Sequence, residues 1–177
     1  MGIRTVRTEG DECLRKVCKP VKSVSLRTRI LIEDMFDTMY ESGVVVLAAP
    51  QIGVLKRIVV MDTDDNQHVL INPQILEVSG EQTGYEGCLS IPGKSGIVTR
   101  PDYVKVKALN ERGEEYVLEG EGLLARCICH ECDHLDGILY SDKAEGGLIN
   151  NEDLPEDEEE ELYEDAYEEF TEEEIHK

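Results

Sequence analysis

The chain has 177 residues, the size of one ordinary domain, and it can bury an apolar core without disulfide staples. The formal net charge is -21, and it is unevenly spread: residues 151–177 hold 15 Asp and Glu against one Lys, a net of -14, which leaves -7 for residues 1–150. Neither part has the clustered Lys and Arg that a phosphate backbone requires, so no direct DNA partner is expected.

Residues 1–24 read as irregular, with Pro20 blocking an early helix. The N-terminus is polar and lacks the apolar core of a secretion signal, and no apolar run approaches the roughly 20 residues of a membrane span. No membrane partner and a cytoplasmic setting are therefore expected. In a reducing compartment the six cysteines read as core residues or metal ligands rather than disulfides.

From Leu26 the apolar residues Ile30, Ile32, Met35, Phe36, Met39 and Tyr40 fall at helical spacing, with Ser25 as N-cap and Gly43 as stop. Val44 to Gln51 is a β-branched run cut by Pro50. Val54 to Asp62 reads as a strand, residues 63–66 as a turn, and His68 to Asn72 as a second strand that Pro73 confines to an edge or an end. The dense glycines from Gly80 to Gly96 suggest a loop. Val104, Val106 and Ala108 alternate with lysines, as a half-buried strand does, and residues 110–113 turn it into Glu115 to Leu118. Leu123 to Leu135 reads as a helix closed by Asp136-Gly137. The expected fold is α+β: antiparallel sheets around this central helix, with an N-terminal helix and an acidic C-terminal tail. Residues 1–150 form the expected catalytic domain, and 151–177 a tail that is a marginal helix or disordered.

The central helix carries His130-Glu131-Cys132-Asp133-His134. Residues four apart share one helix face, so both imidazoles can reach one metal ion. Glu131 lies about 100° further round, near the metal without ligating it. A bound metal brings the pKa of water to near 7, and a carboxylate so placed acts as general base. A catalytic site also needs a third protein ligand and an open position. A metzincin would place a histidine at 140, where Tyr140 stands. A downstream Glu ligand, as in thermolysin-like proteases, is left open by the letters, although the chain is short for their second helical domain. Cys129 and Cys132 project about 100° and 160° away from His130 and cannot share its metal while the helix persists. Cys127, three residues before His130, lies on its face and can line a pocket wall. Cys88, Cys13 and Cys18 remain candidates on spacing alone.

Three segments together resemble the peptide deformylase family: Leu47-Ala48-Ala49-Pro50-Gln51, Glu86-Gly87-Cys88-Leu89-Ser90 and His130-Glu131-Cys132-Asp133-His134. Weaker similarity runs from about Gly10 through Lys143. The resemblance implies removal of the N-formyl group from the formylmethionine of nascent polypeptides. It implies one divalent metal per chain, iron(II) natively, with zinc or nickel as replacements, held by Cys88, His130 and His134. Glu131 would be the acid/base, and the Gln51 side-chain amide and Leu89 backbone N–H would stabilise the oxyanion. Val45, Val46, Gly87 and Cys127 would border the N-formylmethionyl peptide, and Glu86 with Arg100 would form an ion pair steadying the metal loop. Some members dock on the ribosome through a basic C-terminal helix; a transient ribosome contact here would not use the acidic tail. The alternatives are a metallopeptidase and a deformylase-like binding protein with weak or no turnover.

One departure stands out. Where the family has glycines before Leu-Ala-Ala, this chain has Val44 and Val46. Valine favours extended backbone, avoids positive φ and adds bulk that would narrow the cleft.

Overall fold

The computed structural model describes residues 2–63 and 65–155; residue 64 and the expected tail beyond 155 lie outside the described residues. Helix α1 spans Leu26–Glu41. Ser25 caps it, its Oγ accepting from the Thr28 N–H at 3.2 Å, and Gly43 leaves it at φ +71°, a conformation that favours glycine. Strands β1 (Val46–Ala48), β2 (Ile58–Thr63), β3 (Asn66–Ser79), β6 (Tyr103–Leu109) and β7 (Glu115–Glu121) form an antiparallel sheet in the order β1-β2-β3-β6-β7. Strands β4 (Gln82–Cys88), β5 (Ile91–Arg100) and β8 (Glu145–Asn150) form a second sheet in the order β4-β5-β8. Helix α2 spans Leu123–Leu135, the range read from the sequence.

The five-stranded sheet is covered on both faces, which explains why all six residues of β2 are buried. Ile58 and Val60 meet Leu31, Met35 and Met39 of α1, while Val59 and Met61 meet Ala125, Ile128 and Leu135 of α2. Side chains alternate along a strand, so one strand serves both cores. Helix α2 is thus held against apolar surface along most of its length. A third cluster, Leu14, Ile91, Val98, Leu139 and Tyr140, lies under the smaller sheet.

Four expectations change. The strand expected from Val54 begins at Ile58; Lys56 pairs instead with Lys19 in an isolated bridge. Pro73 does not end its strand, because β2 stops pairing at Ile71 and the register toward β6 shifts between Ile71 and Gln74. The bulge leaves the proline with no ladder hydrogen bond to donate. Asn72 at that bulge adopts φ +53° and its side chain bonds the Val21 N–H and C=O, each at 2.8 Å.

The expected loop from Gly80 to Gly96 is the β4–β5 hairpin, turned at Leu89-Ser90. Its glycines serve different ends: Gly80 and Gly93 take positive φ, at +67° and +77°, while a Cβ on Gly96 would sit 2.7 Å from the Ala144 Cβ. Finally, the boundary expected at residue 150 falls short of the packing, since Ser95 Oγ donates to Asn151 Oδ1 at 2.6 Å and Leu154 is buried. Among the described residues, no helix is long and apolar enough to cross a membrane.

Candidate active site

Cys88 is the last residue of β4, and His130 and His134 lie one turn apart on α2. Their ligand atoms all fall within 4.8 Å of one another. Cys88 Sγ is 3.3 Å from His134 Nε2. Cys129 points away into the apolar core, and Cys132 packs against that core, as the helical wheel requires. Cys18 lies in the same core and Cys13 donates to the Pro50 carbonyl, so neither stands as the third donor.

His130 is oriented from behind. Its Nδ1 is 2.7 Å from Glu86 Oε1, which leaves Nε2 facing the Cys88 and His134 side. Tyr140, where the metzincin pattern would want a histidine, stacks on the His130 ring at 5.8 Å and donates to the Lys94 carbonyl at 3.2 Å. Burial works against protonating His130, but hydrogen bonds with Cys88 and Glu86 outweigh it and hold the imidazole well above its ordinary value. Burial pushes His134 well below its own, so that ring is neutral.

Glu86 and Arg100 meet as a buried bidentate pair, at 2.9 and 3.0 Å. Arg100 also donates to Asp133 at 2.6 Å, and Asp133 receives Lys143 at 2.9 Å. Burial would raise the Glu86 carboxyl; donation from His130 and Arg100 outweighs this and holds it well below the usual range.

Glu131 is buried beside His130, its Oε1 3.8 Å from His130 Nε2. Burial pushes its carboxyl up to about 7. Its Oε2 and the His134 Nδ1 are buried with no hydrogen-bond partner among the described residues. A buried carboxylate oxygen without a donor is costly unless something polar comes to it. The donor set tests well for a metal: one thiolate and two imidazoles suit zinc, iron(II) or nickel, and the orphaned Oε2 stands where it can accept from a polar group in the site.

Gln51 sits in the short helix after β1, Ala49–Ile52. Its Oε1 accepts from the Ala48 N–H at 3.0 Å, so the amide nitrogen must point the other way. That nitrogen is 3.6 Å from Cys88 Sγ and 3.3 Å from Ser90 Oγ. A cleft of about 510 Å³ opens in front of these groups, and Val45, Val46, Gly87, Leu89 and Cys127 all border it. Val44 and Val46 do not take positive φ: among the described residues only Asp65 and Asn72 do so without being glycine. Their side chains pack outward on the two cores, Val46 with the α2 cluster and Val44 with the α1 cluster. Neither valine therefore strains the backbone, and both border the cleft.

Asp133, Tyr140 and Arg126 were not read from the sequence as part of the site. For Arg126 the signal existed, because it lies four residues before His130 on the same helix face. For Tyr140 there was none, since a 3-10 turn outside the helix brings it back onto His130.

A buried glutamate next to two helical imidazoles and a strand-end thiol, with Cys88, His130 and Glu131 lining one cleft, defines a metal-dependent hydrolase. Residues 3–147 match the family model described as polypeptide deformylase. The chain is 60% identical over 148 residues to a peptide deformylase of Agathobacter rectalis, covering 84% of this chain and 94% of that one. It is 57% identical over 143 residues to peptide deformylase 1 of Clostridium acetobutylicum, covering 81% and 95%. Among solved structures, a peptide deformylase of Synechococcus elongatus in complex with actinonin superimposes with a TM-score of 0.80 at 40% identity, covering 82% of this chain and 81% of that one. The enzyme from Thermotoga maritima gives a TM-score of 0.80 at 40% identity, covering 82% and 99%. The chain belongs to the polypeptide deformylase family, metal-dependent hydrolases that remove the formyl group from the N-terminus of polypeptides.

Proposed function

We propose that this chain hydrolyses the formyl amide of N-formylmethionyl peptides, with Cys88, His130 and His134 holding one divalent metal. Iron(II) is the native ion in this reading, and zinc or nickel can replace it. The observation that carries it is the convergence of three donor atoms within 4.8 Å beside the orphaned Glu131 Oε2. A divalent cation there supplies Lewis acidity, making water a competent nucleophile near neutral pH and polarising a carbonyl.

The protein's own groups do the rest. Glu131 Oε2 takes a proton from the attacking water and returns it to the departing amine nitrogen, so that formyl amide and water become formate and a free methionyl N-terminus. A carboxyl pushed up to about 7 suits both halves of that transfer. The Gln51 amide nitrogen and the Leu89 backbone N–H donate to the oxygen that gains charge as the carbonyl carbon becomes tetrahedral. Gln51 is preorganised for this because Ala48 pins its other end. The backbone at Val45 and Val46 offers main-chain groups along the cleft, which Gly87 and Cys127 also line. Glu86 and Arg100 steady the hairpin that delivers Cys88.

The reaction belongs in the cytoplasm, on chains leaving the ribosome. The acidic segment after Pro155 takes no part in the chemistry or in ribosome contact in this reading, and cutting the chain there, outside the buried Leu154, should leave turnover intact. The deciding experiment offers anaerobically purified, iron-loaded protein formyl-Met-Ala-Ser and the unformylated peptide side by side. Formate from the first alone is expected. Cleavage of an internal peptide bond would make it a peptidase, and binding without product would make it a non-catalytic relative.

A further inference from the structure

Arg126 lies one helical turn before His130, and its guanidinium does not reach solvent freely: its side chain is 12% exposed. Nη1 donates to Glu86 Oε2 at 2.5 Å, Nη1 and Nη2 both reach the Val98 carbonyl at 3.3 Å, and Nε donates to Gln82 Oε1 at 3.3 Å. One side chain thus ties helix α2 to both β4 and β5. Gly84 packs against it, where even a Cβ would stand 3.6 Å from Nη2, in ordinary contact.

Glu86 is fully engaged as a result. Oε1 meets His130 Nδ1 and Arg100 Nη2, and Oε2 meets Arg100 Nε and Arg126 Nη1. A carboxylate accepts about four hydrogen bonds, so no oxygen is left to wander. Two of the four donors come from α2, four residues apart, and they take opposite oxygens. The carboxylate cannot rotate about its own axis without releasing either His130 or Arg126. Arg100 alone does not impose this, because it spans both oxygens from β5 and is drawn away toward Asp133 as well.

We propose that Arg126 is a positioning residue for His130. Acting through Glu86, it fixes the imidazole with Nδ1 engaged and Nε2 turned toward Cys88 and His134. The inference rests on the reading of His130 as a metal ligand and deepens it, since it assigns the ligand's orientation to a residue that touches neither metal nor reacting atoms. A planar guanidinium is suited to the task because it can hold a carboxylate and a backbone carbonyl at the same time.

The test uses the zinc-loaded full-length protein and three variants. Arg126→Gln and Arg126→Met both remove the cation, and whichever folds carries the experiment; Arg126→Lys restores a cation opposite Oε2. Zinc release to a chromophoric chelator, the His130 side-chain nitrogen signals by NMR, and KM and kcat for the formyl peptide are read together. Loss of an outer partner of a ligating histidine typically costs about 10–100-fold in metal affinity. Release from the Gln or Met variant should accordingly be about tenfold faster or more, with the His130 Nδ1–H signal displaced and KM little changed. The Lys variant should recover most of the metal retention. Wild-type zinc release and unmoved His130 signals in the neutral variant would overturn the proposal, even if the melting temperature fell. A raised KM with unchanged zinc release would also overturn it and make Arg126 a substrate contact. If the wild-type chain held no stoichiometric zinc, the metal-site reading itself would fall and this inference with it. One zinc held by the wild type and an unaffected variant sinks Arg126 alone.

Discussion

The two sheets bury their interiors in opposite ways. Around the five-stranded sheet the buried residues are mostly Ile, Val, Leu, Met and Ala, packed against α1 on one face and α2 on the other. Beneath the three-stranded sheet, Glu86, Ser90, Ser95 and Arg100 are buried among a few apolar residues. An apolar core is stabilised by area removed from water and tolerates local change in proportion to volume. A polar interior is stable only while its partners are complete, because each lost partner strands a buried charge. Helix α2 lies between the two, apolar toward the large sheet and carrying His130, Glu131 and His134 toward the small one. The larger sheet fixes where the helix lies; the smaller one sets the chemistry on its other face.

The strongest test of that division is Glu131→Gln. Removing a positioned acid/base should lower kcat by about 10²–10⁴-fold while metal content stays at one per chain. Activity within tenfold of wild type would remove Glu131 from the reaction. A pair of variants then contrasts the two interiors. Leu70→Ala in the large core should cost about 2–5 kcal/mol of stability and Glu86→Ala about 3–5 kcal/mol, because Arg100 and Arg126 both lose the buried carboxylate they share. The two losses are similar in size, but only Glu86→Ala should also release the metal. Equal metal retention in both would erase the distinction between the sheets.

The same contrast explains what could be read in the letters. The helices α1 and α2 and strands β6 and β7 follow periodic patterns because each presents an apolar face to a core. Val104, Val106 and Ala108 alternate with half-buried neighbours, and Ser25 and Gly43 mark the ends of α1. The β4–β5 hairpin carries no such pattern. Its buried positions mix Glu86, Ser95 and Arg100 with Ile91 and Val98, and Gly96 admits Ala144 and Leu148, so local sequence imitates a loop. The donors on α2 were legible from helical spacing. Cys88 was reached only through resemblance, since its approach to His134 depends on a long-range packing of strand end against helix. Tyr140 and Asp133 act through contacts made by partners far along the chain, and no spacing rule points to them.

A smaller effect concerns Glu131 and pH in the metal-free protein. Burial raises its carboxyl from the ordinary 4.5 to about 7. The folded state therefore holds this proton more tightly than the unfolded chain, and the stability it contributes below pH 4.5 is lost as pH rises toward 7. The amide of Glu131→Gln cannot ionise, so the melting temperature of this variant relative to wild type should climb between about pH 5 and 7 and then level off. Other titrating groups are common to both proteins and cancel. A flat difference across that range would place the Glu131 carboxyl in its ordinary range.

The smallest expected change is on the cleft's other wall, where Val44 and Val46 stand in place of glycines. Because neither valine has positive φ, returning Val46 to glycine relieves no strain. It instead removes a side chain packed on the α2 core and loosens a strand residue paired with Met61. Glycine within a strand is less favourable than alanine by about 0.5–1 kcal/mol, so Val46→Gly should lower the melting temperature slightly. The wider cleft should alter KM for formyl-Met-Ala-Ser by less than about tenfold and leave kcat unchanged, since a uniform binding change does not touch the chemical step. A kcat that rose or fell with this variant would show that β1 reaches the reacting atoms, and the division between a sheet that positions and a sheet that reacts would no longer hold.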